Sequence, residues 1–128
     1  MIYKKNDTGI KKLAINCSER IYILDLDDII AIKAKASYSV FITTNKANEI
    51  ISSSPISFYT KLLEKNGFFR CHRSFLVNLQ HVAEIEKYGI IRMITGEDVP
   101  VTKENIKLLI KEILNFDEQG YLVQGDEE

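Results

Sequence analysis

Between positions 70 and 78, Arg70, His72, Arg73, Ser74 and Asn78 are interleaved with Phe75, Leu76 and Val77, and Phe68 and Phe69 lie just upstream. Arginine can grip the O6 and N7 of a guanine with two parallel hydrogen bonds, and histidine and serine donors can hold phosphates. The apolar neighbours would anchor such groups to a core. Strict alternation from Phe69 places Phe69, Cys71 and Arg73 on one side of a strand and Arg70 and His72 on the other. A turn near His72 to Ser74 would break that parity and project the polar groups together. The same residues also suit a basic turn that packs by its apolar members and pairs its arginines with Glu84 or Glu86. Residue types alone do not separate the two.

Other chemistries fare worse. Cys71 and His72 are adjacent, so in a strand they point to opposite faces, unsuited to a nucleophile and its base. Cys17, Cys71, His72 and His81 do not show zinc-ligand spacing, and Asp27 and Asp28 read as an acidic turn. No catalytic site, metal or cofactor is expected. Two cysteines outside a CxxC pair make no disulfide framework. Cys71 lies among apolar anchors and is expected on the core side. If exposed, its cationic neighbours Arg70, His72 and Arg73 would lower the thiol pKa and favour redox sensing.

The elements that would position these groups are mostly strands. Leu13 to Ile15, Ile21 to Leu24, Ile29 to Ala34, Tyr38 to Thr43, Phe75 to Val77, Val82 to Glu86 and Ile90 to Ile94 read as strands, the last two joined through Tyr88-Gly89. One helix is bracketed by Ser54 as a cap, Pro55 in the first turn and Gly67 at its end, with Ile56, Tyr59, Leu62 and Leu63 along one stripe. A second, shorter helix is expected after Thr102, where Ile106, Leu109, Ile110 and Ile113 repeat at helical spacing. Residues from Gly120 onward are expected to fray. The class is mostly β with one main α-helix and a short C-terminal one.

At 128 residues, 45% apolar and 27% charged, the chain matches a single globular domain. It has no run near the roughly 20 apolar residues that span a bilayer and no apolar leader, so a cytoplasmic location is expected. Net charge is −1 and the isoelectric point about 6.1, which at first argues against nucleic acid. The distribution argues otherwise. Five acids and no bases follow Leu114, leaving residues 1–114 net +4. The windows from Ile29 to Asn48, with Lys33, Lys35 and Lys46, and from Lys65 to Ala83 contain no acid. Composition permits a DNA-binding face without establishing one.

The segment Phe69-Arg70-Cys71-His72-Arg73-Ser74-Phe75-Leu76-Val77-Asn78 resembles the signature of the LytTR DNA-binding family almost position for position. The resemblance covers roughly Leu13 to Leu114. Upstream, Ile29 to Ile32 with Ala34 and Tyr38 resembles the family's strand pair, and Ser53 to Leu63 resembles its helix. Downstream, Gly96 with Val99-Pro100-Val101-Thr102-Lys103 resembles its terminal element. It implies a bacterial transcription regulator built of small antiparallel sheets, bounded here as 13–114 between an extension at 1–12 and an acidic tail at 115–128. The implied partner is double-stranded DNA carrying paired short repeats upstream of target genes, with self-association on DNA or a regulatory protein as further partners. A protein-interaction module of the same fold without DNA contact is the alternative.

By position, the resemblance implies three DNA-reading loops: one around Ser37, Tyr38 and Ser39, a second with His72, Arg73 and Ser74, and a third with Thr102 and Lys103. Arg70 and Asn78 of the signature join the expected DNA-binding set, and Arg73 is the expected base reader. Lys103 departs from the family's usual arginine. Lysine lacks the planar fork, so a phosphate contact is expected there. Only about a dozen residues precede the first expected strand, too few for the receiver domain usual in the family.

Overall fold

The computed structural model describes residues 9–45, 49–116 and 120–125. The elements are β1 (Lys12–Asn16), β2 (Ile21–Asp25), β3 (Ile29–Lys35), β4 (Tyr38–Thr43), β5 (Ile50–Ser52), α1 (Ile56–Leu63), β6 (Phe68–His72), β7 (Phe75–Asn78), β8 (Val82–Glu86), β9 (Ile90–Met93), β10 (Asp98–Pro100) and α2 (Lys103–Asn115). Single 3-10 turns at Leu26–Asp28 and Leu79–His81 precede β3 and β8. Strands pair antiparallel in three sheets. β1 pairs with β2, β8 to β10 form a meander in the order β10-β9-β8, and the largest sheet runs β5-β4-β3-β7-β6.

The middle strand, β3, separates two cores. Ile29 and Ile32 join Phe41, Ile56, Tyr59, Leu63 and the inner side chains of the β1–β2 hairpin. Ile30 and Ala31 join Ile91, Met93, Val99, Val101 and Leu109 on the other side. A register shift between Ile29 and Ala31 adds a residue to the strand, so alternation slips there and both faces receive large side chains. Covered on both sides, β3 reads as a continuous apolar run up to Ile32. Beyond it come Lys33 and Lys35, both exposed.

The helices reverse the expected order of size. α2 has 13 residues and α1 only eight. Of the expected stripe, Ile106, Leu109 and Ile113 pack into the second core, with Leu109 fully buried, so tertiary burial sustains α2 without a C-terminal stop residue. Ser54 does not cap α1. Pro55 holds the N-cap position, and the Ser54 carbonyl accepts from the Ser39 hydroxyl at 2.7 Å. Gly67 lies beyond the helix end with φ +88°, leading into β6, and Phe116 packs over it so closely that an added Cβ would meet the ring at 2.5 Å. Past Phe116, the described residues Gly120 to Gly125 form no regular element, and Tyr121, Leu122 and Val123 are exposed. Residues 1–8 of the expected N-terminal extension and 117–119 and 126–128 of the acidic tail lie outside the described residues.

Candidate nucleic-acid interface

Two turns emerge at one end of the largest sheet because β3 and β7 are antiparallel neighbours. Lys33 pairs with Phe75, and the Ala34 N–H donates to the Ser74 carbonyl at 2.8 Å. The β3–β4 turn, with Ser37, and the β6–β7 turn, Arg73-Ser74, are thereby adjacent. Ala36 tips the first turn with φ 55°, a left-handed conformation that is strained for a residue with a Cβ. The third segment arrives through the carbonyl of Cys71, which accepts from the Thr102 N–H at 3.2 Å and the Asn105 side-chain amide at 3.4 Å. Thr102 and Lys103 thus open α2 beside the end of β6. From there α2 runs back along β6 to Phe116 over Gly67. Asp25, Asp27 and Asp28 line a polar cleft at that far end, with Asn66, Asn78 and Gln80.

Arg70 corrects one expectation. Its guanidinium donates to the His72 carbonyl at 3.0 Å, to the Arg73 carbonyl and to the Thr60 hydroxyl at 2.9 Å, so it holds the second turn from behind. A planar fork with fixed donors suits this clamp. The His72 Nδ1 accepts from the Ser74 N–H at 3.0 Å. Neutral His72 therefore carries its proton on Nε2, which leaves Nε2–H as the available donor. The His72 ring stands edge-on to Phe75 at 6.1 Å, and the Lys33 ammonium lies 5.9 Å from the centre of the same ring.

Arg73 is exposed, and among the described residues no carboxylate pairs with it. The expected alternative partners, Glu84 and Glu86, belong with Asp98 to Arg92 on the three-stranded sheet. Ser37, Tyr38 and Lys103 are exposed at the same end, and Ser74 and Thr102 are half-buried there.

Two further expectations are corrected by burial. Asn78 is 2% exposed; its amide donates to the carbonyls of Leu26 and Ile29 at 3.1 and 2.9 Å, and its oxygen accepts from the Gln80 N–H. It ties β7 to the turn before β3. Ser39 is fully buried by its bond to Ser54. Neither side chain faces outward. Cys71 is buried as expected, its thiol donating toward the carbonyls of Pro100 and Phe75, and burial pushes the thiol pKa up to about 12. Such a thiol is not the reactive thiolate that redox sensing requires.

Sequence reasoning missed Thr60, whose partnership with Arg70 spans ten positions, and did not single out Lys33 and Lys35 as site residues. The acid-free window from Ile29 to Asn48 was their signal. Among the described residues no cluster of His, Cys, Asp and Glu could hold a metal ion, and no helix is long and apolar enough to cross a membrane.

Comparison with known proteins places this geometry. A Bacillus cereus domain solved as the LytTr DNA-binding domain of a putative methyl-accepting/DNA response regulator superposes with a TM-score of 0.68, covering 84% of this chain and all of that one at 22% identity, which shows the shared fold. The sensory transduction protein LytR of Staphylococcus saprophyticus is 38% identical over 78 residues, 61% of this chain and 30% of its own length. The transcriptional regulatory proteins YpdB of Escherichia coli O6:H1 and BtsR of Salmonella typhi are 31% and 30% identical over 83% and 82% of this chain, and 43% and 44% of their own lengths. The chain thus spans less than half the length of these curated relatives. The model of the LytTr DNA-binding domain matches residues 19–115, and the chain belongs to the LytTR DNA-binding domain family.

Proposed function

We propose that this chain contacts double-stranded DNA sequence-specifically through turns instead of a recognition helix, as the DNA-binding part of a transcription regulator. The observation that carries this reading is the convergence of Ser37 and Tyr38, His72 to Ser74, and Thr102 with Lys103 at one basic end, opposite the acidic cleft. Arg73, exposed and without a carboxylate partner among the described residues, reads a base edge, with guanine the natural match for its fork. The Nε2–H of His72 and the hydroxyl of Ser74 hold phosphates on either side. Ser37 and Tyr38 enter one neighbouring groove, and Thr102 and Lys103 another, with Lys103 as a point contact to phosphate. Two copies on paired short repeats upstream of a regulated gene complete the arrangement. Mobility shifts on the DNA upstream of the protein's own gene, against a scrambled duplex of equal length, test the reading. Preference for the native duplex with steep salt dependence is expected; equal binding to both, or none, would refute sequence-specific recognition.

A further inference from the structure

We infer that Lys33 and Lys35 form a phosphate-gripping row on β3, spanning the gap between the first and second turns; this contact rests on the DNA reading above. Residues two apart on a strand share a face, here about 7 Å apart at the usual rise. Neighbouring phosphates of one DNA strand are separated by a similar distance, since each step winds around the axis as well as rising along it, so each lysine can take its own phosphate. Directly paired residues on neighbouring strands share the face too. Lys33 lies between Val40 and Phe75, and Lys35 stands opposite Tyr38. All these cross-strand neighbours are uncharged, and among the described residues no carboxylate pairs with either lysine. Two like charges side by side without a counterion cost energy that a polyanion removes.

The row is also oriented. Phe75 has the Lys33 ammonium over its ring and the His72 ring at its edge, so the aromatic ring links β3 to the second turn. β3 sits between β4 and β7, the strands that carry the two turns. A duplex receiving both turns must therefore cross the end of β3. These contacts carry no base information. They fix how far apart along the backbone the two turns enter.

The test compares two double variants that remove the same charge. Lys33→Gln/Lys35→Gln strips the row, while Lys107→Gln/Lys111→Gln strips exposed lysines on α2, which leads away from the turns. Dissociation constants are measured from about 50 to 200 mM salt on the upstream duplex and a scrambled one, with melting curves for each protein. The first pair is expected to lower the salt slope by about 2, one unit per lysine, and to weaken both duplexes by the same factor. The α2 pair is expected to leave the slope unchanged. Lys33→Arg/Lys35→Arg, which keeps the charges, should hold the wild-type slope. A wild-type slope in the Lys33→Gln/Lys35→Gln variant, an equal fall in the α2 variant, or a loss confined to the native duplex would each overturn the row while leaving DNA binding intact. Salt-independent binding by the wild type would overturn the DNA reading itself, and the row with it.

Discussion

Thr60 accepts an N–H of Arg70 at 2.9 Å while its own hydroxyl donates to the carbonyl of Ile56 at 2.9 Å, so helix α1 is wired to the tip of the second turn. The path runs from an α1 carbonyl through one hydroxyl and one guanidinium to the carbonyls of His72 and Arg73. Thr60→Val keeps the shape and deletes the acceptor. It is expected to cost about 0.5–1.5 kcal/mol of stability and to weaken binding to the native duplex with the salt slope unchanged, because no phosphate contact is lost. Arg70→Lys, which cannot reach three acceptors in one plane, should be worse in both respects. A melting curve with competition titrations decides it. Arg70→Gln, which removes the charge, should also keep the wild-type salt slope; a lower slope there would mean that Arg70 touches phosphate after all.

Arg73→Ala is expected to leave the melting temperature unchanged, since the side chain is exposed and has no carboxylate partner among the described residues. It should lose about 1–3 kcal/mol of discrimination at one base position. Binding to a set of single-base variants reads this out. An unaltered preference profile would take Arg73 out of the base-reading set.

Asn78 predicts the opposite pattern. Its side chain is buried and bonded to two carbonyls across β7 and β3, so Asn78→Ala strands two acceptors and should cost about 1–3 kcal/mol or more of folding stability. DNA affinity per folded molecule should not move. Denaturant unfolding, paired with titration of the active fraction, separates stability from affinity. A fall in affinity with normal stability would restore Asn78 to the interface.

Asn78, Ser39 and Arg70 show where sequence reading stops. Each is polar and belongs to a stretch matched to the family, and residue type and position cannot tell a donor aimed at a phosphate from one aimed at a carbonyl. The Leu26 carbonyl that holds Asn78 is 52 positions away. Local patterns served better. Alternation marked the β3–β4 and β6–β7 hairpins, and Gly89, with φ +124°, sits in the turn anticipated between β8 and β9. The length of α2 escaped notice because nothing local terminates it; its extent follows from the second core, which forms only when the sheets have met.

The buried thiol of Cys71 makes a pH prediction. Its folded pKa is raised to about 12 from 9.0, chiefly by burial, so the native state keeps the proton that the unfolded chain releases first. The stability it contributes is fully present below about pH 9 and is lost as pH rises from there toward 12. Cys71→Ala should lower stability at neutral pH by leaving space in the core, yet show a shallower decline above pH 9. Melting curves of both proteins from pH 7 to pH 10 provide the difference, which cancels the other titrating groups. Parallel declines, or rapid alkylation of the native thiol, would show that Cys71 ionises in the folded protein.

The acidic tail starts at the wrong end of the molecule to touch the turns where it leaves α2. That helix is about 20 Å long, beyond a Debye length of about 8 Å at physiological salt. From Gly120, whose N–H donates to the Leu114 carbonyl at 3.0 Å, the last eight residues can nevertheless span about 27 Å when extended, so Asp126, Glu127 and Glu128 can reach the basic turns and compete with phosphates. Phe116 itself is docked over Gly67. Two truncations separate charge from packing. A chain ending at Phe116 should melt like the full protein and bind more tightly at low salt, with the gain shrinking as ionic strength rises. A chain ending at Leu114 should in addition lose about 1–2 kcal/mol of stability with the buried part of the Phe116 ring. Identical salt profiles for the full chain and the chain ending at Phe116 would show that the tail does not compete for the DNA-binding end.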